Sequence, residues 1–219
     1  MSTESGVDAF RTPGGIWPRV KVEDVATPEG WERNPDLVTE FYNRRRKQLL
    51  EEVEPHRGHR LLAALEAHWE VEVITQNVDD LHERAGSSQV LHLHGELRRV
   101  RSSGPSRTSV VWPRWEVRAT DRCPDGYRWR PDVVWFGEHV PNLDAAAERV
   151  ARADALLVIG TSLNVYPAAG LVHATAPRVP IYVIDPGEVD VPGAFAVRAT
   201  ASAGMEHLWR AWLPDTPLP

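Results

Sequence analysis

Three short apolar runs have the length and composition of buried β-strands, and they lie at residues 71–75, 155–159 and 179–184. Each run follows a segment with helical character, at residues 60–69, 143–153 and 167–176. Strands that alternate with helices predict a parallel sheet covered on both faces. We therefore expect an α/β fold built on a Rossmann-like, doubly wound parallel sheet.

The clearest helix is expected at residues 34–53. Asn34 is a suitable N-cap, and Pro35 fits the first helical position. The apolar stripe of this helix contains Val38, Tyr42 and Leu49. Arg45 falls inside that stripe, whereas the arginines on either side of it are expected to point elsewhere. An arginine on an apolar face is either a snorkelling side chain, which is the commoner case, or an anion clamp that faces a pocket.

Residues 98–130 differ from the rest of the chain. They hold nine arginines and three tryptophans against three acidic residues, and their apolar periodicity is weak. We expect a small basic module here, inserted between residues 1–97 and 131–219, which form the large domain. Arginine interleaved with tryptophan is compatible with nucleic-acid binding. A solvated surface module with a few aromatic anchors is the commoner alternative.

Composition narrows the class of protein. The 219 residues suit one domain with a small insert, and the net charge of −6 argues against nucleic acid as the main partner. The longest clean apolar stretch, residues 155–159, is far shorter than the roughly 20 residues that span a bilayer. A single cysteine, Cys123, excludes an intramolecular disulfide and a four-cysteine zinc site. With no visible signal peptide, we expect a cytoplasmic monomer that does not contact membranes.

The densest polar cluster, at residues 75–82, begins where the first apolar run ends. In open parallel sheets, ligands bind outside the carboxyl ends of the strands. Gln76, Asn77 and Asp79 offer donors and acceptors for a ribose or a carboxamide. An Asx-turn with helix capping explains any one of them alone. Three such groups within four positions favour a binding site.

Two histidines follow this cluster. His92 and His94 would lie on one face of a strand, but no third metal ligand is nearby in sequence, so we expect no metal site. His94, directly before Gly95, is well placed as a general base near neutral pH. A lone histidine is more often structural, but the polar cluster about fifteen positions earlier makes the two interpretations equally good here.

Hydroxyl and acidic side chains follow the other two apolar runs. Gly160, Thr161 and Ser162 can bind phosphate or ribose, although the chain has neither a P-loop nor a G-x-G-x-x-G motif. Asp185 can hold ribose hydroxyls, or it can simply form a turn before Pro186. The residues themselves therefore predict a nucleotide-binding α/β protein with a histidine base.

Taken in order, these motifs resemble the sirtuin family, the NAD-dependent protein lysine deacylases. Residues 5–17 resemble the loop that folds over NAD, residues 75–86 the nicotinamide pocket, and residues 160–169 the ribose and adenosine loop. His94 with Gly95 is similar to the catalytic pair. Residues 133–138 are a looser match to the strand that pairs with the acyl-lysine peptide. The resemblance runs from about residue 2 to residue 210.

The resemblance implies NAD as the cofactor and acylated lysine proteins, acetyl or succinyl, as partners. It makes His94 the catalytic base. The implied cofactor-binding residues are Phe10, Arg11, Gln76, Asn77, Asp79, Gly160, Thr161, Ser162, Asp185 and Ala201. The implied substrate-binding residues are Tyr42, Arg45, Val134, Phe136, Gly137 and Glu138.

Tyr42 and Arg45 look like the pair found in bacterial and mitochondrial sirtuins of the desuccinylase type. The guanidinium would fork onto the carboxylate of the acyl group, while the tyrosine donates one hydrogen bond. This assignment gives a reason for an arginine within an apolar stripe.

The chain departs from the family pattern in three places. It starts after the strand and Gly-Ala-Gly turn with which the family begins, so we expect a sheet that lacks its first strand. The small module usually carries four zinc cysteines, whereas here Ser102 stands near one of those positions and only Cys123 remains, so we expect no zinc. Asp185 replaces a common asparagine, and Ala9 replaces a common aspartate.

The implied reaction is lysine deacylation that releases nicotinamide and O-acyl-ADP-ribose. Mono-ADP-ribosyl transfer to protein and NAD hydrolysis are alternatives that use the same pocket. A non-catalytic acyl-lysine-binding module is a further alternative, because the N-terminal strand of the family is not in this sequence.

Overall fold

The computed structural model describes residues 1–7 and 20–219. Its helices are α1 (Val22–Val25), α2 (Pro28–Arg33), α3 (Pro35–Glu51), α4 (Arg57–Ala64), α5 (Leu81–Ala85), α6 (Leu143–Ala151) and α7 (Ala201–Trp212). Its strands are β1 (Val73–Thr75), β2 (Val90–His92), β3 (Gly95–Ser102), β4 (Ser109–Val111), β5 (Trp129–Val133), β6 (Leu156–Ile159), β7 (Ile181–Ile184) and β8 (Phe195–Val197). Short 3-10 helices lie at Ser2–Ser5, Leu65–Ala67 and Ala168–Ala174.

Helix α3 forms as its sequence predicts. The Asn34 side chain accepts a hydrogen bond from the Leu37 N–H at 3.0 Å, and Pro35 occupies the first turn. The predicted apolar stripe is buried in the core, where it packs against Trp135 from the loop after β5. Capping and apolar periodicity were therefore sufficient to define this helix.

The three predicted strands are confirmed as β1, β6 and β7, each slightly shorter than its apolar run. Two of the predicted helices correspond to α4, which continues as a 3-10 turn, and to α6. The helix predicted at residues 167–176 is wrong in type, because Ala168–Ala174 is a 3-10 helix. Its pitch differs, but it still buries Ala168 and Ala169.

The parallel strands confirm the Rossmann-like α/β fold. β1 pairs with β2, with Val73 opposite Val90 and Thr75 opposite His92. β7 lies between β6 and β8, and all three strands are parallel. The polar loops that follow β1, β6 and β7 therefore leave the carboxyl ends of parallel strands, where a ligand site is expected.

Helices cover both faces of these strands. On one face, Val73 packs in a core with Leu61 of α4 and Met205 of α7. On the opposite face, the neighbouring Ile74 packs with residues of α6 and of the 3-10 helix at Ala168–Ala174. Successive side chains of a strand point to opposite faces, so this alternation gives the doubly wound arrangement.

A cleft of about 960 Å³ lies between β1 and β6, and both strands line it. Glu72, just before β1, forms ion pairs with Arg149 of α6 and with Arg152, which lies between α6 and β6. At the other end, the Met1 amino group lies 3.4 Å from the Gly160 carbonyl oxygen. The two strands therefore run in the same direction on either side of the cleft.

The basic module is built on the antiparallel sheet β4-β3-β5. Val100, Val117, Cys123 and Trp129 form its core, with Trp112 packed against them. The Asp125 carboxylate accepts a hydrogen bond from the Ser102 hydroxyl at 2.7 Å, which joins β3 to the loop before β5. The sheet also includes residues 95–97 and 131–133, and the division at residues 98 and 130 stays a prediction.

Among residues 1–7 and 20–219, no three His, Cys, Asp or Glu side chains are grouped so that they could hold a metal ion. Across the same residues, every helix is too short or too polar to cross a membrane.

Candidate active site

The loop after β1 brings three of the predicted residues together. The Thr75 hydroxyl accepts a hydrogen bond from the Asn77 N–H at 3.0 Å, which turns the chain away from the strand. The Asp79 carboxylate then accepts from the Leu81 N–H at 3.3 Å, at the start of α5. Asp79 is buried, and loss of solvent raises the pKa of its carboxyl group. Gln76, Asn77 and Asp79 thus lie at the carboxyl edge of β1, as predicted.

His94 lies beside this loop, just after β2. Its Nδ1 is 3.1 Å from the Gln76 carbonyl oxygen. Since a carbonyl only accepts, Nδ1 carries the hydrogen and Nε2 keeps its lone pair. Burial lowers the pKa of His94, so the ring is neutral at pH 7. The geometry therefore leaves Nε2 able to accept a proton.

Gly95 permits the sharp change of direction after His94. Its φ is 77°, and a Cβ at this position would lie 2.1 Å from the Asp132 carbonyl oxygen. Any other residue would push β5 away from β3. The His-Gly pair therefore places the ring at the junction between the parallel strands and the antiparallel sheet.

The N-terminal 3-10 helix connects the ends of separate strands. The Asn77 side-chain amide donates to the Ser2 hydroxyl at 2.7 Å, and Met1 contacts Gly160 after β6. Gly160 and Ser162 are exposed, and the Thr161 hydroxyl accepts from the Leu163 N–H at 3.2 Å. Residues 160–162 therefore lie at the same carboxyl edge as Asn77.

Asp185 and Ala201 have partners within the protein. Asp185 follows β7, and its carboxylate accepts from the Gly187 N–H at 2.8 Å, which is the turn-forming arrangement considered from the sequence. The Ala201 N–H, at the first turn of α7, donates to the Glu4 carboxylate at 2.6 Å. Glu4 thus acts as an anion at a helix N-terminus. The other two predicted cofactor residues, Phe10 and Arg11, lie outside the described residues.

Tyr42 and Arg45 of α3 have different environments. Tyr42 is buried, its hydroxyl accepts from the Trp135 indole N–H at 3.1 Å, and burial raises the pKa of its phenol to about 12. Arg45 is half-buried, with its guanidinium 5.8 Å from the centre of the Phe41 ring. It lines a small cavity together with Asp79. The arginine therefore lies on the side of α3 that faces the loop after β1.

The arginine at the centre of the buried face is Arg46, which corrects the expectation that it points away. Its guanidinium donates to the carbonyl oxygens of Leu97 and Trp115, both at 2.8 Å, and to the Asn43 side chain at 3.1 Å. Burial lowers the pKa of Arg46 to about 10. Polar partners from the module, which the apolar pattern of α3 cannot reveal, make this burial possible.

Residues 134–138 form a turn after β5, whereas residues 133–138 were expected to be a strand. The Val134 N–H donates to the His94 carbonyl at 2.9 Å, and the Phe136 N–H donates to the Ala26 carbonyl at 2.9 Å. Gly137 has a φ of 86°, which ends extended structure. Phe136 and Gly137 are exposed on this turn, next to the catalytic candidate.

Glu138 stabilises the turn from within. Its carboxylate accepts from Arg130 at 2.7 Å, from Arg101 at 2.9 Å and from the Trp135 backbone N–H at 2.8 Å. The Arg130 guanidinium also lies 3.3 Å from the centre of the Trp135 ring. These bonds to β3 and β5 engage the side chain of Glu138 inside the protein.

Sequence reasoning missed several residues that hold the site in place. They are Ser2, Glu4, Arg46, Glu83 and Arg130, and it considered His92 only as a metal ligand. Ser2, Glu4 and Arg46 each have a partner 51 to 197 positions away in the chain, and the partners of Glu83 and Arg130 lie nine and eight positions away. Neither separation brings two residues of one helix or strand into contact, so local pattern carried no signal for the pairing. A signal was present only for His92, whose two-residue spacing from His94 places both rings on the same side of the strand.

Comparison with known proteins adds a family match. The model of the Sir2 family matches residues 1–167. An NAD-dependent protein deacylase from Bacteroides thetaiotaomicron is 51% identical over 222 residues, which cover 98% of this chain and 94% of that protein.

Solved structures give the same match. A Sir2 homologue in complex with NAD superposes with a TM-score of 0.88 at 38% identity, over 96% of this chain and 84% of that one. A variant Sir2 homologue in complex with 2′-O-acetyl-ADP-ribose superposes with a TM-score of 0.87 at 38% identity, over 96% of this chain and 87% of that one.

Proposed function

This chain belongs to the Sir2 family, and we propose that it uses NAD to remove acyl groups from lysine side chains of proteins, with His94 as the base. The observation that carries the proposal is the contact between His94 Nδ1 and the Gln76 carbonyl oxygen, which fixes the tautomer and leaves the Nε2 lone pair to accept a proton beside the loop that holds Asn77 and Asp79. The expected products are nicotinamide, the free lysine and O-acyl-ADP-ribose.

NAD supplies a ribose carbon that becomes electrophilic as nicotinamide leaves. The carboxyl edge of β1 has the donor set that a carboxamide needs: the Asn77 amide both donates and accepts, and the Asp79 carboxylate accepts. Asp79 is buried beside Ser2, so solvent does not compete for it. We assign these two side chains to holding and orienting the carboxamide, with Gln76 shaping the loop.

His94 takes a proton from a ribose hydroxyl at Nε2. The Gln76 carbonyl then stabilises the imidazolium through the hydrogen bond at Nδ1. Because burial lowers the pKa of His94, the neutral form persists to lower pH than in an exposed histidine. Activity that depends on this base is present above that pKa and is lost as the pH falls through it.

The acyl group that we propose is negatively charged, as in succinyl lysine. Arg45 and Asp79 line a space of about 10 Å³, so a succinyl chain would reach the guanidinium only after the side chains around it move apart. Tyr42 accepts one hydrogen bond and still has its own O–H to donate. A carboxylate between these two side chains would receive a charge-assisted hydrogen bond.

The acyl-lysine peptide is proposed to lie along the turn at residues 134–138. Phe136 and Gly137 are exposed there, and Val134 is tied to the His94 carbonyl. The Glu138 side chain is occupied by Arg130, so its contribution is to fix the turn rather than to contact the peptide. Residues 160–162 and Asp185, at the carboxyl ends of β6 and β7, are assigned to the adenosine half of NAD.

The location and assembly that we propose are the cytoplasm and a monomer. A single, buried cysteine suits a reducing compartment. The proposed catalytic and binding residues all come from one chain, so the site needs no second copy. Sedimentation at micromolar concentration tests the monomer.

The test of the reaction is a product analysis with one succinyl-lysine peptide and NAD. We expect free peptide, nicotinamide and O-succinyl-ADP-ribose in equal amounts, and a loss of about 10²–10⁴-fold in rate for His94→Ala. His207→Ala, at an exposed position of α7, is the matched control. ADP-ribosylated protein, or nicotinamide released without deacylated peptide, would contradict deacylation. An unimpaired His94→Ala enzyme would show that His94 is not the base.

A further inference from the structure

His92 makes two hydrogen bonds that a neutral imidazole cannot make together. Its Nδ1 lies 3.1 Å from the Asn77 carbonyl oxygen, and its Nε2 lies 2.8 Å from a Glu83 carboxylate oxygen. A carbonyl and a carboxylate both accept, so both ring nitrogens must carry a hydrogen. The contacts therefore describe an imidazolium.

We propose that His92, as an imidazolium, is a positioning residue that fixes the Asn77 loop to α5 and thereby sets the affinity for NAD. This inference rests on the proposed function, because it assumes that Asn77 binds the nicotinamide half of NAD. It gives His92 a role distinct from that of His94, although the two rings hold the consecutive carbonyls of Asn77 and Gln76.

The surroundings of His92 favour the charged ring. Burial acts to lower its pKa, but the hydrogen bond and charge of Glu83, together with the Asn77 carbonyl and the charge of Glu96, outweigh burial and raise it. The pKa of Glu83 is lowered in turn, although burial acts to raise it, because His92 donates to its carboxylate. The other titratable groups that act on His92 from neighbouring elements are Glu96 of β3, Asp79 of the loop and His82 of α5.

The backbone of His92 is also held in place, which limits how far the residue can move. Its own carbonyl oxygen accepts from the Asn142 side chain at 2.8 Å, and its backbone pairs in register with Thr75. The ring is therefore held by a rigid strand, while its partner Asn77 lies on a loop. Losing the ring's proton would release the loop, not the strand.

The sign of the pH effect follows from these contacts. The charged His92 ring makes both hydrogen bonds below its raised pKa, and one of them is lost as the pH rises through that value. His94 acts in the opposite direction, since the neutral base is lost as the pH falls. We expect the KM for NAD to rise on the alkaline side, while the acid side is limited by His94 through kcat/KM.

The decisive variant is Glu83→Gln, which removes the carboxylate and leaves both histidines in place. We expect the alkaline rise in the KM for NAD to move toward neutral pH by about one unit, equivalent to about tenfold in KM at a fixed alkaline pH. The KM for the acyl peptide and kcat at neutral pH should change little. Glu54→Gln is the matched control. It also removes a carboxylate that pairs with α5, but this one is exposed and its partner is Arg84.

A second measurement does not depend on activity. NMR of the histidine rings in the free protein should show both nitrogens of His92 protonated at pH 7, with the titration shifted to lower pH in Glu83→Gln. A neutral His92 ring at pH 7 overturns the proposal. So does a KM for NAD whose pH dependence is the same in Glu83→Gln and in the wild type.

The deacylation assay and direct NAD binding together distinguish a failure of this inference from a failure of the proposed function. If the protein proves not to deacylate lysine, calorimetric NAD binding against pH replaces the KM, and the same shift in Glu83→Gln is expected. If deacylation is observed but NAD binding shows no shift, the role of His92 is wrong while the function stands.

Discussion

Three consecutive arginines of α3 show how much one position along a helix changes the chemistry of a residue. Arg44 is exposed and forms an ion pair with Glu40 one turn earlier. Arg45 is half-buried beside the cavity that Asp79 lines, and Arg46 is almost wholly buried among carbonyl groups. A helix advances about 100° per residue, so neighbours face solvent, site and core in turn.

The acyl preference is tested by Arg45→Met. A succinyl carboxylate would lose a charge-assisted hydrogen bond, which costs roughly 1.5–3 kcal/mol, so kcat/KM for a succinyl peptide should fall about 10–100-fold. The value for the acetyl version of the same peptide should change little. Arg44→Met is the control, since it removes the same charge one residue away. Equal losses on both peptides would mean that Arg45 supports the fold and does not recognise the acyl charge.

At the scale of elements, the predictable parts were those specified locally. α3 was predicted from its cap and its stripe, and β1, β6 and β7 from short, mainly apolar runs. The arginine-rich β3 gave no such signal, because Arg101 and its neighbours pair with acidic groups of β5 and of the following turn. The 3-10 form of Ala168–Ala174 was missed because apolar spacing alone does not distinguish it from an α-helix.

Long-range hydrogen bonds account for the rest of the site. Ser2 and Asn77 are joined across 75 positions of sequence, and Glu4 and Ala201 across 197. A single sequence shows that such side chains are polar, but it does not show which ones meet. The carboxyl-edge rule predicted the place of the site, and tertiary packing chose its partners.

Arg46 connects α3 to the module, and Arg46→Met tests how much that connection stabilises the protein. The change leaves the carbonyls of Leu97 and Trp115 without their guanidinium donor. Each unsatisfied buried group costs about 1–3 kcal/mol, so the loss of the donor to two carbonyls should lower the free energy of unfolding by about 2–6 kcal/mol. Urea unfolding measures the loss, with Arg44→Met as the exposed control. If Arg46→Met lowers the free energy of unfolding no more than Arg44→Met does, water replaces the guanidinium.

At the scale of the whole molecule, the parallel strands form two groups with a cleft between them. β1 belongs to one group and β6 to the other, and Glu72 and Met1 hold the two groups together at opposite ends of the cleft. Every proposed cofactor residue of the described chain lies along the carboxyl edge of these two groups or at the start of α7. The geometry of the site therefore depends on contacts across the cleft as well as on the strands themselves.

Hydrogen exchange tests this division of the sheet. The N–H groups of Val73, Leu156 and Gly160 bond to the neighbouring strand segment at 2.8–3.0 Å. Successive N–H groups of a strand point to opposite sides, so those of Ile74, Leu157 and Ile159 point into the cleft. Because bonded amides of a sheet open only with the surrounding structure, we expect the cleft-facing set to exchange faster by about tenfold or more. Residue-resolved NMR exchange measures both sets in one sample, each set serving as the control for the other. Equal protection of the two sets would mean that β1 and β6 are bridged in solution, and that the cleft is closed.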